Sequence, residues 1–192
     1  MLNNLDIYDK SFKSLIFENS FLYQLLKDLS QYYANAYISA GVLRNWIWSI
    51  LHEQIYQFEQ TEIDVIYFDE FEIDHSVHRE LSTFLQDKYP FITWDITNQA
   101  KVHEWYRTED GQSIKPLESI EEALSFWPET ATAIAVRLNQ NKELEIIAPF
   151  GLGDLFELKL RWNDRLVSRG VFEQRIMRKE FLQRWHKLRV IN

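Results

Sequence analysis

The sequence predicts an α/β (α+β) fold, with a mixed sheet flanked by helices. Three observations lead there. Short runs rich in β-branched and aromatic residues ("NAYISAG", "EIDVIYFD", "FITWDIT") alternate with segments of helical period. Hydrophobic residues make up 46% of the 192, and aromatic residues 15%, enough for a substantial core. Only five Gly and four Pro leave little room for flexible linkers. We expect one domain over residues 1–192, with a helical segment at 1–35, a core at 36–163 and a basic helix at 164–192.

Taken in order, residues 11–33 carry Leu15, Phe17, Phe21, Leu22, Leu25, Leu26 and Leu29, mostly three or four apart, which predicts one or two amphipathic helices. "NAYISAG" is a short apolar strand ending at Gly41, and "VLRNWIWSILHEQIYQF" resumes a helical period. "EIDVIYFD" is a strand, "DHSVHRELSTFLQDKYP" a helix stopped by Pro90, and "FITWDIT" another strand. "NQAKVHEWYRTED" reads as a helix capped by Thr97 or Asn98. Ser119 and Glu122 have capping-box spacing at the start of a helix that ends by Pro128. "TATAIAVRL" and "ELEIIAP" flank "NQNK" as a hairpin. "LFELKLRW" fits helix or strand, and "FEQRIMRKEFLQRWHKLRV" reads as one basic amphipathic helix.

The net charge of −8 argues against sequence-blind binding to a polyanion. It weighs against a nucleic-acid partner without excluding one. The charge is uneven: residues 156–192 hold ten Lys/Arg against four Asp/Glu. That basic end could cover an acidic site of the same chain or contact phosphate. The chain has no Cys, no signal-peptide-like start and no apolar run of membrane-spanning length. A soluble cytoplasmic protein with no membrane partner is expected.

The chemistry concentrates on two strands. Glu62 and Asp64 lie two apart in "EIDVIYFD", so their side chains share a face. Two carboxylates so close repel unless water screens them or a cation neutralises them. A third, Asp95, lies in the next predicted strand, and pairing of the two strands would bring three acids together. Hard oxygen ligands of this kind suit Mg²⁺ or Mn²⁺, and such a set can hold two metals. Acids at i and i+2 are also common on solvated strand faces. The apolar neighbours Ile63, Val65, Ile66, Tyr67 and Phe68 instead mark a largely buried strand, where acids require partners. Upstream, Gly41 stands at a strand–helix junction with Arg44 in the first turn, a place where a phosphate can approach the backbone. The same residues also fit a turn glycine and a surface cation.

This order, a junction glycine, then an acid–apolar–acid strand, then a later strand acid, resembles the nucleotidyltransferase fold of the DNA polymerase β superfamily. Several stretches are similar to the bacterial nucleotidyltransferase-like family long classed as a domain of unknown function (DUF925). They are "AGVLRNWIW", "IDVIYFD", "NQAKVHEWY", "SIEEALSFWPETATAIAVRL" and "APFGLGDLFELKLRWN", running from about residue 38 to 163, with "KEFLQRWHKL" beyond. The resemblance implies that Glu62 and Asp64 are paired metal carboxylates, that Asp95 is the third acid, and that Gly41 and Arg44 belong to the phosphate side. The chain departs from the superfamily pattern at Val42, where Gly or Ser is usual, and at Glu62, where Asp is commoner. Twenty residues separate Gly41 from Glu62, more than in compact versions.

After Asp95, "NQAKVHEWY" offers Asn98 and Gln99 to a substrate and Lys101 or His103 to phosphate. For His103 a buried, satisfied hydrogen bond is the expected role. Asp69 and Asp154 read as loop or helix caps, and the resemblance allows Asp154 a role in the site or its scaffold. Glu70, Glu72 and Asp74 read as solvated charge. His75 and His78 lack further nearby ligands for zinc. Trp127, Trp162 and Trp185 are expected in the core or an interface rather than as base-stacking platforms.

The expected activity is metal-dependent transfer of a nucleoside monophosphate from a nucleoside triphosphate to an unidentified hydroxyl acceptor. Glu62, Asp64 and Asp95 would be catalytic and metal-binding, and Gly41, Arg44, Asn98 and Lys101 would bind nucleotide or phosphate. The rival is a catalytically silent nucleotidyltransferase-like module that binds a nucleotide or a protein, a reading favoured by Val42.

Overall fold

Asn19 divides the N-terminal apolar stretch into two helices. Its side-chain oxygen accepts a hydrogen bond from the Leu22 amide at 2.9 Å, so the chain stops α1 (Asn4–Glu18) and caps α2 (Ser20–Tyr32). The computed structural model describes residues 4–191; the ends of the expected domain, residues 1–3 and 192, lie outside the described residues. After α2 come β1 (Tyr37–Ser39), α3 (Gly41–Leu51), β2 (Glu62–Tyr67), α4 (Ser76–Lys88) and β3 (Thr93–Asn98). Two short helices follow, α5 (Val102–Trp105) and α6 (Ile120–Ser125). The hairpin forms as expected, from β4 (Ala135–Leu138) and β5 (Leu144–Ile147). The chain closes with α7 (Gly153–Phe156), β6 (Lys159–Arg161), α8 (Arg169–Arg178), α9 (Phe181–Arg184) and β7 (Arg189–Ile191).

The main sheet has the order β3-β2-β1-β4-β5. Only β2 and β3 run parallel; the other neighbours are antiparallel, which makes the sheet mixed. Helix α4 is the crossover that a parallel pair requires. Alternation along β2 sends Ile63, Val65 and Tyr67 into the large core, which draws residues from Phe12 to Leu188. Ile66 points the other way, into a smaller cluster with Tyr37, Ile120, Leu124, Ala133 and Ala135. The strand is therefore apolar on both faces beyond Asp64.

Ser119 caps α6, its Oγ accepting from the Glu122 amide at 3.0 Å, while Glu122 Oε2 reaches one residue further back than in a strict capping box and accepts from the Glu118 amide at 2.6 Å. Other elements differ from expectation. α3 ends at Leu51 instead of running to Phe58, and "NQAKVHEWYRTED" yields only a 3₁₀ turn and one helical turn. "LFELKLRW" divides between a single helical turn and β6, which pairs parallel with β7. The C-terminal segment is not one helix. Its buried residues are Phe172, Ile176, Phe181, Trp185 and Leu188, and the five-residue step from Ile176 to Phe181 would turn an unbroken helix away from the core. Glu180 adopts a left-handed φ of 52° there and re-aims α9 inward. Among the described residues, no helix is long and apolar enough to cross a membrane.

Candidate active site

The parallel register of β2 and β3 places Asp64 directly beside Asp95 and Glu62 beside Thr93. Glu62 shares the face of Asp64, so the carboxylates of Glu62, Asp64 and Asp95 converge, with ligand oxygens within 4.8 Å of one another. Among the described residues, no other cluster of three His, Asp or Glu has this closeness; His75 and His78 form no such group. Glu62 and Asp95 are exposed while Asp64 is half-buried. Burial first, then the negative charges of Asp95 and Glu62, push the Asp64 carboxyl up to about 6. A Gly41 hydrogen bond and the nearby Arg44 cation pull in the opposite direction.

Gly41 reaches Asp64 because β1 is antiparallel to β2, pairing Ser39 with Asp64 and delivering the β1–α3 junction to the acidic cluster. The Gly41 amide donates to Asp64 Oδ2 at 3.3 Å. A Cβ at Gly41 would meet that oxygen at 3.6 Å, an ordinary contact. The strained position is the preceding residue: Ala40 has φ 56° and ψ −123°, outside the regions a side chain prefers. Strain of this kind gathers at functional sites. The Val42 side chain is fully buried in the core, so it does not project over the cluster.

Arg44 lies beneath the cluster, not on an open phosphate surface. It is 3% exposed and donates to Thr132 Oγ1 at 2.6 Å and to Asn45 Oδ1 at 2.8 Å. Its guanidinium also pairs with Glu129 at 3.8 Å and sits over the Trp48 and Phe181 rings. Glu129 is wholly buried, accepts from Thr132 at 2.8 Å and pairs with Arg175 as well. Burial lowers the Arg44 guanidinium to about 10, opposed by Glu129, and it remains a cation at neutral pH. Sequence reading missed Glu129; the only available signal was an acid immediately after a proline at a helix end.

Asn98 and Lys101, expected near nucleotide or phosphate, are not brought to the acidic cluster. Asn98 is buried and its amide is consumed by the loop: Nδ2 donates to Glu72 and to the Asp69 carbonyl, and Oδ1 accepts from the Asp69 and Ala100 amides. Lys101 donates to the Glu70 carbonyl at 2.9 Å. The physical reason is alternation, since Asn98 is an odd number of positions from Asp95 and faces the other side. The cap role of Asn98 does hold. Glu72 is not solvated charge: it is 7% exposed, accepts from Tyr67 and Asn98, each at 2.7 Å, and caps the start of α4 through Val77.

Asp69 acts in its loop, its Oδ1 accepting from the Phe71 and Glu72 amides. Asp154 is scaffold, accepting from Thr130 at 2.7 Å and Arg161 at 2.8 Å. His103 departs from expectation, because its buried Nδ1 has no hydrogen-bond partner among the described residues. Trp185 is in the core, Trp162 and Trp127 pack against the large and the small cluster, and Trp127 also lines a cavity of about 260 Å³ that opens beside Asp64 and Asp95.

A family model described as a nucleotidyltransferase matches residues 30–190. The chain belongs to the nucleotidyltransferase family. No match was found among curated proteins. Among solved structures, this nucleotidyltransferase is similar to one described as revealing a CCA-adding enzyme head domain by NMR, with 23% identity over 95% of each chain and a TM-score of 0.73. It is also similar to a tRNA-processing enzyme in an apo form (17% identity, TM-score 0.59, covering 91% of this chain and 45% of that one). A CCA-adding enzyme in complex with CTP gives 21% identity and a TM-score of 0.54, covering 89% of this chain and 40% of that one. Likeness at these identities shows the fold. The nucleotidyltransferase spans less than half the length of the latter two chains.

Proposed function

We propose that the protein transfers a nucleoside monophosphate from a nucleoside triphosphate to a hydroxyl acceptor, at Glu62, Asp64 and Asp95. The observation that carries this reading is the convergence of three carboxylates within 4.8 Å on one sheet face. Family membership supports it, and a fold neighbour that binds CTP supports a nucleoside triphosphate as donor. The donor set is all hard oxygen and the Asp64 carboxyl is raised to about 6, which fits a divalent cation such as Mg²⁺ or Mn²⁺. Bound there, the metal would supply Lewis-acid activation of the acceptor and charge neutralisation on the departing pyrophosphate.

The protein's own groups would act as follows. Glu62, Asp64 and Asp95 hold the cation. The Gly41 amide orients the Asp64 carboxylate, and with Asp64 turned to metal it is free to meet a phosphate oxygen. Arg44, fixed by Glu129, supplies positive potential from below and steadies the β1–α3 junction. Val42 faces the core, so the feature that favoured a silent module places no bulk over the site. The cysteine-free chain suits a cytoplasmic setting, and the stretches named above suit the bacterial subgroup of the family.

Titration calorimetry of the four nucleoside triphosphates, with and without Mg²⁺, tests the reading on wild type and Asp64→Ala. Metal-dependent binding lost in the variant supports it. Absence of binding by every nucleotide overturns it.

A further inference from the structure

We propose that the cavity beside Asp64 and Asp95 is a nucleobase pocket in which the Gln99 carboxamide reads the edge of the base. This rests on the nucleotidyl-transfer reading for the position of the phosphates, and deepens it by assigning the base end of the donor.

The cavity holds about 260 Å³, and among the described residues the charged groups that line it are Asp64 and Asp95. With no Lys, Arg or His in its walls, it cannot host a polyphosphate, and an anion inside would face two carboxylates. The walls therefore disfavour an anionic occupant. The rings of Tyr106, Phe126 and Trp127 line it, which suits a planar group. Gln99 also lines it, is 6% exposed, and its side-chain amide makes no hydrogen bond among the described residues. The amide is not one of the fully buried polar atoms left without a partner, so it reaches the cavity, where a ligand edge bearing donors and acceptors would satisfy it. The Thr97 hydroxyl, on the same wall, is already spent on Asp95 at 3.2 Å.

The two ends are ordered along one strand. Asp95 stands in β3, and Gln99 follows four residues later, immediately past the end of the strand. A donor held by its phosphates at the carboxylates would thus extend its base toward Gln99. A purely apolar occupant would leave the amide unpaired, and an anionic one would meet the wrong field. A nucleobase is flat, uncharged and lined with donors and acceptors, and it fits both demands. Nucleic-acid systems use the same pairing of aromatic stacking with an amide side chain on a base edge.

The test uses calorimetric titration of the full chain with the four ribonucleosides without metal, and with the four triphosphates plus Mg²⁺. Wild type is expected to prefer one base by at least about tenfold in both series. Gln99→Leu is expected to reduce that preference to about threefold or less while triphosphate binding stays metal-dependent. Gln99→Met, closer in shape, replaces it if the Leu variant fails to fold in a thermal melt. An unchanged base profile in the variant, with metal-dependent binding intact, overturns the base pocket and leaves nucleotidyl transfer standing. Gln99-dependent nucleoside binding without any metal dependence for triphosphates keeps the pocket and removes the transfer reading. Failure of all eight ligands to bind overturns both.

Discussion

Asp64 and Asp95 stand directly opposite each other across the parallel β2–β3 pair, and both line the cavity. Like charges facing each other on a half-buried surface are unfavourable unless something positive arrives. The expected behaviour of the protein follows largely from that contact.

Asp64→Asn removes a ligand and a repulsion together. Metal-dependent turnover or nucleotide binding is expected to fall by at least ~100-fold, as for loss of a metal-site group. The metal-free fold should gain roughly 1–3 kcal/mol at neutral pH, because the raised carboxyl no longer ionises in a buried position. Urea denaturation with chelator checks the gain; a destabilised variant would refute it.

The pH dependence has a definite sign. Asp64 is raised from 3.8 to about 6 in the metal-free protein. A folded-state pKa above the unfolded value means that its favourable contribution is complete below 3.8 and lost as pH rises through about 6. The stability of wild type relative to Asp64→Asn should therefore decline between pH 4 and about 7. Metal affinity should move oppositely, rising over that range as the ligand deprotonates. Denaturation and metal titrations at three pH values read both trends.

Gly41→Ala separates fold from chemistry. The added Cβ meets Asp64 Oδ2 at 3.6 Å, and the position carries no left-handed φ, so stability is expected to hold or rise by about 0.4–1 kcal/mol. If a phosphate approaches this backbone, triphosphate affinity should drop by about tenfold while nucleoside affinity is unchanged. Equal affinity for triphosphate would argue against a phosphate contact here.

Glu129→Ala leaves the buried Arg44 and the half-buried Arg175 without their shared anion. A loss of about 3–5 kcal/mol in urea denaturation is expected. Replacing both arginines by Met in the same background should restore part of it, since the uncompensated charge is then gone. No recovery would mean that Glu129 stabilises through Thr132 instead.

Much of this was legible in the sequence, for physical reasons that can be named. Local pattern marks strands whose residues are β-branched and buried, so β1, β2, β3 and the β4–β5 hairpin were visible. Glu62 and Asp64 were readable because strand alternation fixes a shared face. Capping chemistry at Ser119 and the break before Pro90 are equally local. Harder to see were Glu72, Glu129 and the break at Glu180. Glu72 and Asp74 have the same local pattern, but only Glu72 meets Tyr67 and Asn98 across the fold. Asn98 lies close to Asp95 in sequence, yet strand alternation turns it to the opposite side, toward Asp69 and Glu72.

By itself, the sequence determined a mixed sheet, a pair of acids on one strand face, and a third acid awaiting a neighbour. Strand register, helix direction and the burial of Arg44 and Gln99 were decided only by tertiary structure. Register depends on crossovers such as α4 and on which apolar faces fill the core together, and those are sums over residues far apart in the chain. Asp64 and Asp95 lie 31 positions apart in sequence and meet only because β2 and β3 pair in parallel with no offset between them.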